Sequence, residues 1–259
     1  MSYLNVARSS LSFFLSQIFE IGEHPRIKRL FRFFWRRRPS FPRYFVTWDI
    51  RKVLKFLSDW HPINRLTFKQ MTLKTLALVA LTSSDRAQTL ESIDIEHSEV
   101  SEEGIFFPIY TLLKSSRRNR PIRVVKCIRF DDPSLDVCNY VMVYLQKTLK
   151  FRISAVNKGR PKPKQLFLSY SSGKPLSRAT IAKYLLDVLT LAGIDTNTFK
   201  AHSYRGNLPS NMAKRNASPG KILAQGDWQQ LGTFERHYNR FSEDSIEGRL
   251  ISQVLSARK

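Results

Sequence analysis

Acidic side chains are scarce in this chain. Against 21 Asp and Glu stand 43 Lys and Arg in 259 residues, a formal charge of +22. A compact protein with that surplus carries a strong positive field, so polyanions are its expected partners, although charge alone does not separate a ribosome-type binder from an enzyme. Cysteine is nearly absent. Cys127 and Cys138 show neither CxxC spacing nor neighbouring His ligands, which argues against a disulfide framework and a zinc site and suits a reducing intracellular compartment. No run of about 18 apolar residues occurs, and the start, Met1-Ser2-Tyr3-Leu4-Asn5, lacks a charged region followed by a short apolar stretch and a cleavage site, so neither membrane insertion nor secretion is expected. A glycine-rich phosphate loop, GxSxG and HExxH are all missing, which removes three common enzyme chemistries. Phe130-Asp131-Asp132 faintly resembles a metal-binding Asp pair, but Asp132 before Pro133 is better read as a helix cap.

What is present is enough apolar material, 42% of residues, to fill a sizeable core. Asn5 to Phe19 reads as an amphipathic helix that either docks on the remainder or, the preferred reading, ends a domain whose front is missing. Arg26, Lys28, Arg29, Arg32, Arg36, Arg37, Arg38 and Arg43 follow without an acid between them, interleaved with Phe31, Phe33, Phe34, Trp35 and Phe41. Cations there suit phosphates while the aromatics anchor the segment to protein; a membrane-surface helix or a nuclear import signal are the rival readings. Pro39 and Pro42 mark a linker.

Helical periodicity resumes at Thr47, and a more buried helix around Leu73 to Leu81 should end before Thr82-Ser83-Ser84-Asp85-Arg86. Gly104 to Leu113 and Ile122 to Phe130 have β character and are joined by a polar loop from Lys114 to Pro121, a hairpin pattern. Asp132-Pro133 predicts a helix running to about Leu149, Ser177 caps another that stops at Gly193, and Ser218-Pro219 starts a short one. Asn157 to Lys164 reads as a basic loop, and Ile246, Leu250, Val254 and Leu255 as the stripe of a terminal helix.

The chemistry-bearing residues lie in the last third. His202 and Arg205 are one helical turn apart and can meet one phosphate; Gly226-Asp227-Trp228 and then Tyr238 follow, in basic surroundings. Arg86 follows a buried helix and Lys114 sits in the hairpin loop. Each alone has a plainer explanation: Arg86 neutralising Asp85, Lys114 as one more loop cation, Trp228 as core, Tyr238 as a packed ring with a wet hydroxyl. Together, and in this order, they suit attack of a tyrosine hydroxyl on a phosphodiester. A phenol of pKa about 10 needs a proton acceptor and local positive charge, and two guanidinium forks match phosphate oxygens.

The order Arg86, Lys114, His202-Ser203-Tyr204-Arg205, Trp228, Tyr238 resembles the signature of the tyrosine recombinase (phage-integrase-like) superfamily. Leu81 to Leu90, Leu113-Lys114-Ser115-Ser116-Arg117, Ala192 to Thr196 and Lys200-Ala201-His202-Ser203 look closest to recombinases of DIRS-like and Crypton-type mobile elements. The resemblance implies an α+β, mainly α catalytic domain over 45–259 with a small antiparallel sheet. Residues 1–44 then correspond to the remnant of a helical core-binding domain plus its basic linker. It implies that Arg86 and Arg205 clamp the scissile phosphate, Lys114 protonates the 5′-hydroxyl, with the nearby Arg117 as the rival cation, His202 takes the tyrosine proton or holds it in a network, Trp228 hydrogen-bonds or packs against the phosphate and Tyr238 forms a 3′-phosphotyrosyl bond. Thr89 stands where many bacterial members have an acidic residue. Arg36, Arg37, Arg38, Arg43, Arg117, Arg118 and Arg240 are the expected contacts to double-stranded DNA. No metal or other cofactor is expected, a homotetramer on DNA is, and the nucleus is the expected location. A catalytically silent DNA-binding remnant and a type IB topoisomerase are the alternatives.

Overall fold

The computed structural model describes residues 2–15, 20–38 and 44–242. The chain divides into two compact units, Met1–Arg43 and Tyr44–Lys259. In the first, α1 (Ser2–Leu15) and α2 (Pro25–Arg37) are amphipathic, and the Arg8 guanidinium lies 4.9 Å from the centre of the Phe31 ring. Yet α2 buries none of its residues, and Tyr3, Phe13, Phe14, Phe33 and Trp35 remain exposed. Contrary to expectation, Phe33 and Trp35 are not anchored in a core.

The second unit begins with β1 (Val46–Thr47), not with a helix at Thr47. The Asp49 carboxylate accepts from the Arg51 amide at 2.9 Å and so fixes the start of α3 (Ile50–Asp59) beyond that point. Next comes α4 (Phe68–Ser83), opened by a Thr67/Gln70 capping box and buried on nearly every face, running two residues past the end its leucine pattern predicts. Helices as apolar all round as this one belong in the middle of a domain. It packs on α6 (Val137–Asn157), α7 (Arg178–Leu191), α8 (Tyr204–Lys214) and the sheet. Short α5 (Ala87–Glu91) packs against α7.

β2 (Glu99–Val100), β3 (Gly104–Pro108) and β4 (Val124–Ile128) form an antiparallel sheet in that order, with Phe106 opposite Lys126. In β4 the buried Val125 and Cys127 alternate with the exposed Lys126 and Ile128, the period that places one face on the core. The expected hairpin exists, but its paired part is shorter and residues 109–123 form one long connection closed at its neck by the Ile109 amide donating to Arg123 O at 2.8 Å. Both cysteines are buried and free, Cys138 Sγ donating to Cys127 O.

The helix predicted at Asp132 starts later. Asp136 is its cap, accepting from the Cys138 amide, while Asp132 accepts from the amide and hydroxyl of Ser134 in a local turn. An Asp-Pro pair serves a turn as readily as a helix start, and here the turn wins. Ser177 caps α7 as expected, and α9 (Pro219–Gly226) begins at Ser218-Pro219. After α10 (Leu231–His237), β5 (Phe241–Ser242) pairs in parallel with β1. The stripe from Ile246 to Leu255 lies outside the described residues. Among those that are described, no helix is long and apolar enough to cross a membrane.

Candidate active site

The end of α4 determines where the first arginine stands. Ser84 takes a left-handed conformation, φ 55°, and its amide donates to Ala80 O, so the helix turns off sharply. Asp85 is thereby buried and Arg86, half-buried, becomes the cap residue of α5. A single 3-10 turn, Ala201–Ser203, runs into α8 and sets His202 and Arg205 on one side. Beneath them the indole of the fully buried Trp48 donates to Ser203 Oγ at 2.8 Å, and Asn207 donates to Trp48 O at 2.8 Å and Thr47 Oγ1 at 3.2 Å. These bonds fasten α8 to the chain segment before α3.

Tyr238 ends α10. Its backbone oxygen accepts from Ser210 Oγ, and its hydroxyl lies 3.1 Å from His202 Nε2. Arg205, 1% exposed, places its guanidinium carbon 4.9 Å from the centre of the Trp228 ring and 5.5 Å from that of Tyr238. The Trp228 and Tyr238 rings are 4.7 Å apart. Arg205 donates to Ser84 O at 3.3 Å and to Gly226 O, while its Nε and the Trp228 Nε1 are buried without a partner among the described residues.

His202 keeps an open edge, but the protein around it strips water from the imidazole, and Arg205, Arg86 and Lys114 repel a further positive charge. Its pKa is therefore below the ordinary 6.5, and the ring is neutral at neutral pH. The same electrostatics place Arg86 and Lys114 near this ring. Neither of those two side chains forms a hydrogen bond or ion pair among the described residues. Lys114 is exposed in the 109–123 connection. Three of the expected site residues meet Tyr238, His202 through its ring nitrogen and Arg205 and Trp228 against the phenol ring, while Arg86 and Lys114 are felt electrostatically at His202.

The other expected cations differ in their surroundings. Arg36, Arg37 and Arg38 are exposed on and just after α2; Arg43 lies outside the described residues. Arg118 is exposed, Arg117 donates to Ser116 O at 2.7 Å, and Arg240 is half-buried with donors spent on Asn239 O and Arg236 O.

Asp85 is not neutralised by Arg86. Its carboxylate is gripped by both arms of Arg123, Nε to Oδ1 at 3.2 Å and Nη2 to Oδ2 at 3.0 Å, a pairing between residues far apart in sequence that no local motif announces. Burial nevertheless pushes the Asp85 pKa up, against the pull of Arg123. Arg120, in the loop between Lys114 and Pro121, pairs with Asp227 at 2.8 Å. No group of three His, Cys, Asp or Glu side chains suited to a metal ion gathers among the described residues.

Comparison with known proteins agrees with this architecture. XerA recombinase matches with a TM-score of 0.55 at 13% identity, over 85% of this chain and 67% of that one. XerH recombinase bound to its difH substrate matches with 0.56 at 12%, over 81% and 51%, and the Tn1549 transposon integrase in complex with transposon right-end DNA with 0.50 at 12%, over 85% and 68%. The chain therefore spans about half the length of the XerH chain and about two thirds of the other two. At such identities the likeness shows a shared fold. No curated protein matches the sequence. The sequence pattern of the phage integrase family matches residues 49–244, most of the second unit and all six site residues, and the chain belongs to that family, the tyrosine recombinases.

Proposed function

We propose that the protein cleaves and rejoins DNA through a 3′-phosphotyrosyl intermediate on Tyr238. The observation that carries this reading is the 3.1 Å contact between the Tyr238 hydroxyl and His202 Nε2, made beside the buried Arg205 guanidinium. A neutral imidazole accepts the phenolic proton as the oxygen attacks phosphorus. Arg205 and Arg86 stabilise the charge that builds on the non-bridging oxygens, and the buried, unpartnered Trp228 Nε1 is a donor suited to one of them. Lys114, on its exposed connection, protonates the departing 5′-oxygen. Because the phosphotyrosyl ester retains the bond energy, attack by a 5′-hydroxyl reverses the step.

The proposal extends to the setting. Arg36, Arg37, Arg38, Arg43, Arg117, Arg118 and Arg240 contact the backbone of double-stranded DNA, a tetramer assembles on it, and the first unit corresponds to part of a core-binding domain. The enzyme serves a mobile element, of the DIRS-like or Crypton type, in the nucleus. The test is a nicked suicide duplex: the wild-type chain forms a covalent adduct and Tyr238→Phe forms none. Adduct on the Phe variant overturns the assignment. A wild-type chain that binds the duplex without an adduct is a silent binder, and one that relaxes supercoiled DNA as a monomer is a topoisomerase.

A further inference from the structure

Two separate stretches carry the groups around Tyr238: residues 82–86, leading to Arg86, and residues 224–228, leading to Trp228. Little else in the chain's connectivity relates them. Arg123 reaches both from a third stretch of chain. From the neck of the Lys114 connection its Nη2 donates to Ser83 O at 3.1 Å and to the Asp85 carboxylate, while Nη1 donates to Ala224 O at 3.0 Å and Nη2 also lies 3.3 Å from Gln225 O. Two flanking contacts run the same way. Gln225 donates to Thr82 O at 2.6 Å, and Arg205 bridges Ser84 O and Gly226 O. Asp85, in turn, has Arg123 as its only hydrogen-bonded cation among the described residues and is almost completely buried.

We infer that Arg123, oriented by Asp85, is a positioning residue for strand cleavage: it fixes the spacing between the Arg86 turn and the Trp228 segment and ties the Lys114 connection to both. The inference rests on the proposed cleavage reaction. A planar fork is required for this because its N–H groups point at acceptors in fixed directions, whereas an ammonium group has the charge without the fork. The negative, carbonyl end of α9 also favours a cation there. Since a displacement of about 1 Å in a reacting group costs on the order of 10²-fold in rate, slackening the spacing slows the chemistry and leaves DNA affinity alone.

The experiment compares the full-length wild type with Arg123→Lys and with the double variant Asp85→Leu/Arg123→Met. Replacing a buried ion pair by apolar groups of similar bulk is commonly tolerated for stability. Thermal unfolding, DNA affinity and the single-turnover rate at saturating suicide duplex are measured for each. Expected are melting temperatures and affinities near wild type, with cleavage slowed about 10-fold in Arg123→Lys and about 100-fold in the double variant. A rate within twofold of wild type in either folded variant overturns the inference. Should the double variant fail to fold, Arg123→Lys alone decides. A wild-type chain that makes no adduct sinks the cleavage reading instead, before either variant is compared.

Discussion

Gly226→Ala should disable the site from a position that touches no substrate. A Cβ at this residue would lie 1.9, 2.2 and 2.3 Å from three carbons of the Trp228 indole. Ordinary contact begins at 3.4 Å, so the ring must retreat by about 1.5 Å. It has little room for that: Phe234 lies 5.3 Å away, Tyr238 4.7 Å and the Arg205 guanidinium carbon 4.9 Å, centre to centre. The displacement therefore passes to the proposed nucleophile and to one arm of the phosphate clamp. A shift of that size costs about 10²-fold in cleavage rate, or about 2.7 kcal/mol in the barrier. Overpacking costs a further ~1–3 kcal/mol in stability. Gly220, in the same helix with nothing within 4 Å of its virtual Cβ, is the control. Gly220→Ala should cleave normally. The assay is single-turnover adduct formation on a nicked duplex, with a melting curve for each variant. If Gly226→Ala cleaves within twofold of wild type, the indole is not what aligns Tyr238, and the packing argument fails.

Two further outcomes concern protons. Because the His202 pKa is depressed, the ring is neutral and able to accept above that value, and protonation removes this ability as pH falls through it, so cleavage should decline only below pH 6.5. Lys114→Gln removes one of three repelling charges and should raise the midpoint, read by NMR titration of the His202 ring; a wild-type midpoint at or above 6.5 contradicts the electrostatics. Lys74 is buried, donates to Trp60 O at 2.7 Å and lies 4.2 Å from the centre of the Tyr140 ring, and burial lowers its pKa to about 8. Between that value and the ordinary 10.5 the unfolded chain binds more protons, so this lysine makes stability rise with pH across the window. Subtracting the pH-dependence of melting for Lys74→Met from that of wild type isolates the rise, and its absence refutes the assignment.

The sequence made the proposed site more legible than its supports. His202 and Arg205 share a turn, and a fixed order links them to Trp228 and Tyr238, so chemistry and spacing lie on the surface of the text. Ser177 and Ser218-Pro219 likewise announce helix starts because capping is a local matter. The Asp85–Arg123 pair could not be read, since each residue has a nearer candidate partner, Arg86 and Asp131 among them, and only folding chooses. Asp132-Pro133 misled for a related reason: its local chemistry satisfies a turn and a helix start equally, and the second carboxylate, Asp136, was free to cap. The end of α4 is hard to read because Thr82 and Ser83 look like loop residues, whereas both stay helical, the Thr82 hydroxyl satisfied by Leu78 O of its own helix.

Tyr238 is moored on both sides. Behind it the chain is held by α10, and ahead of it Phe241–Ser242 lies alongside Val46–Thr47, at the very beginning of the same unit. With the Tyr238 carbonyl also pinned by Ser210, the backbone here is held, and the proposed attack on phosphorus becomes a matter of rotating a ring about its own stem. Yet the forward mooring is a ladder of two residues. A ladder that short adds little hold of its own, so the berth of the hydroxyl is set mainly by the helix behind it and by Ser210.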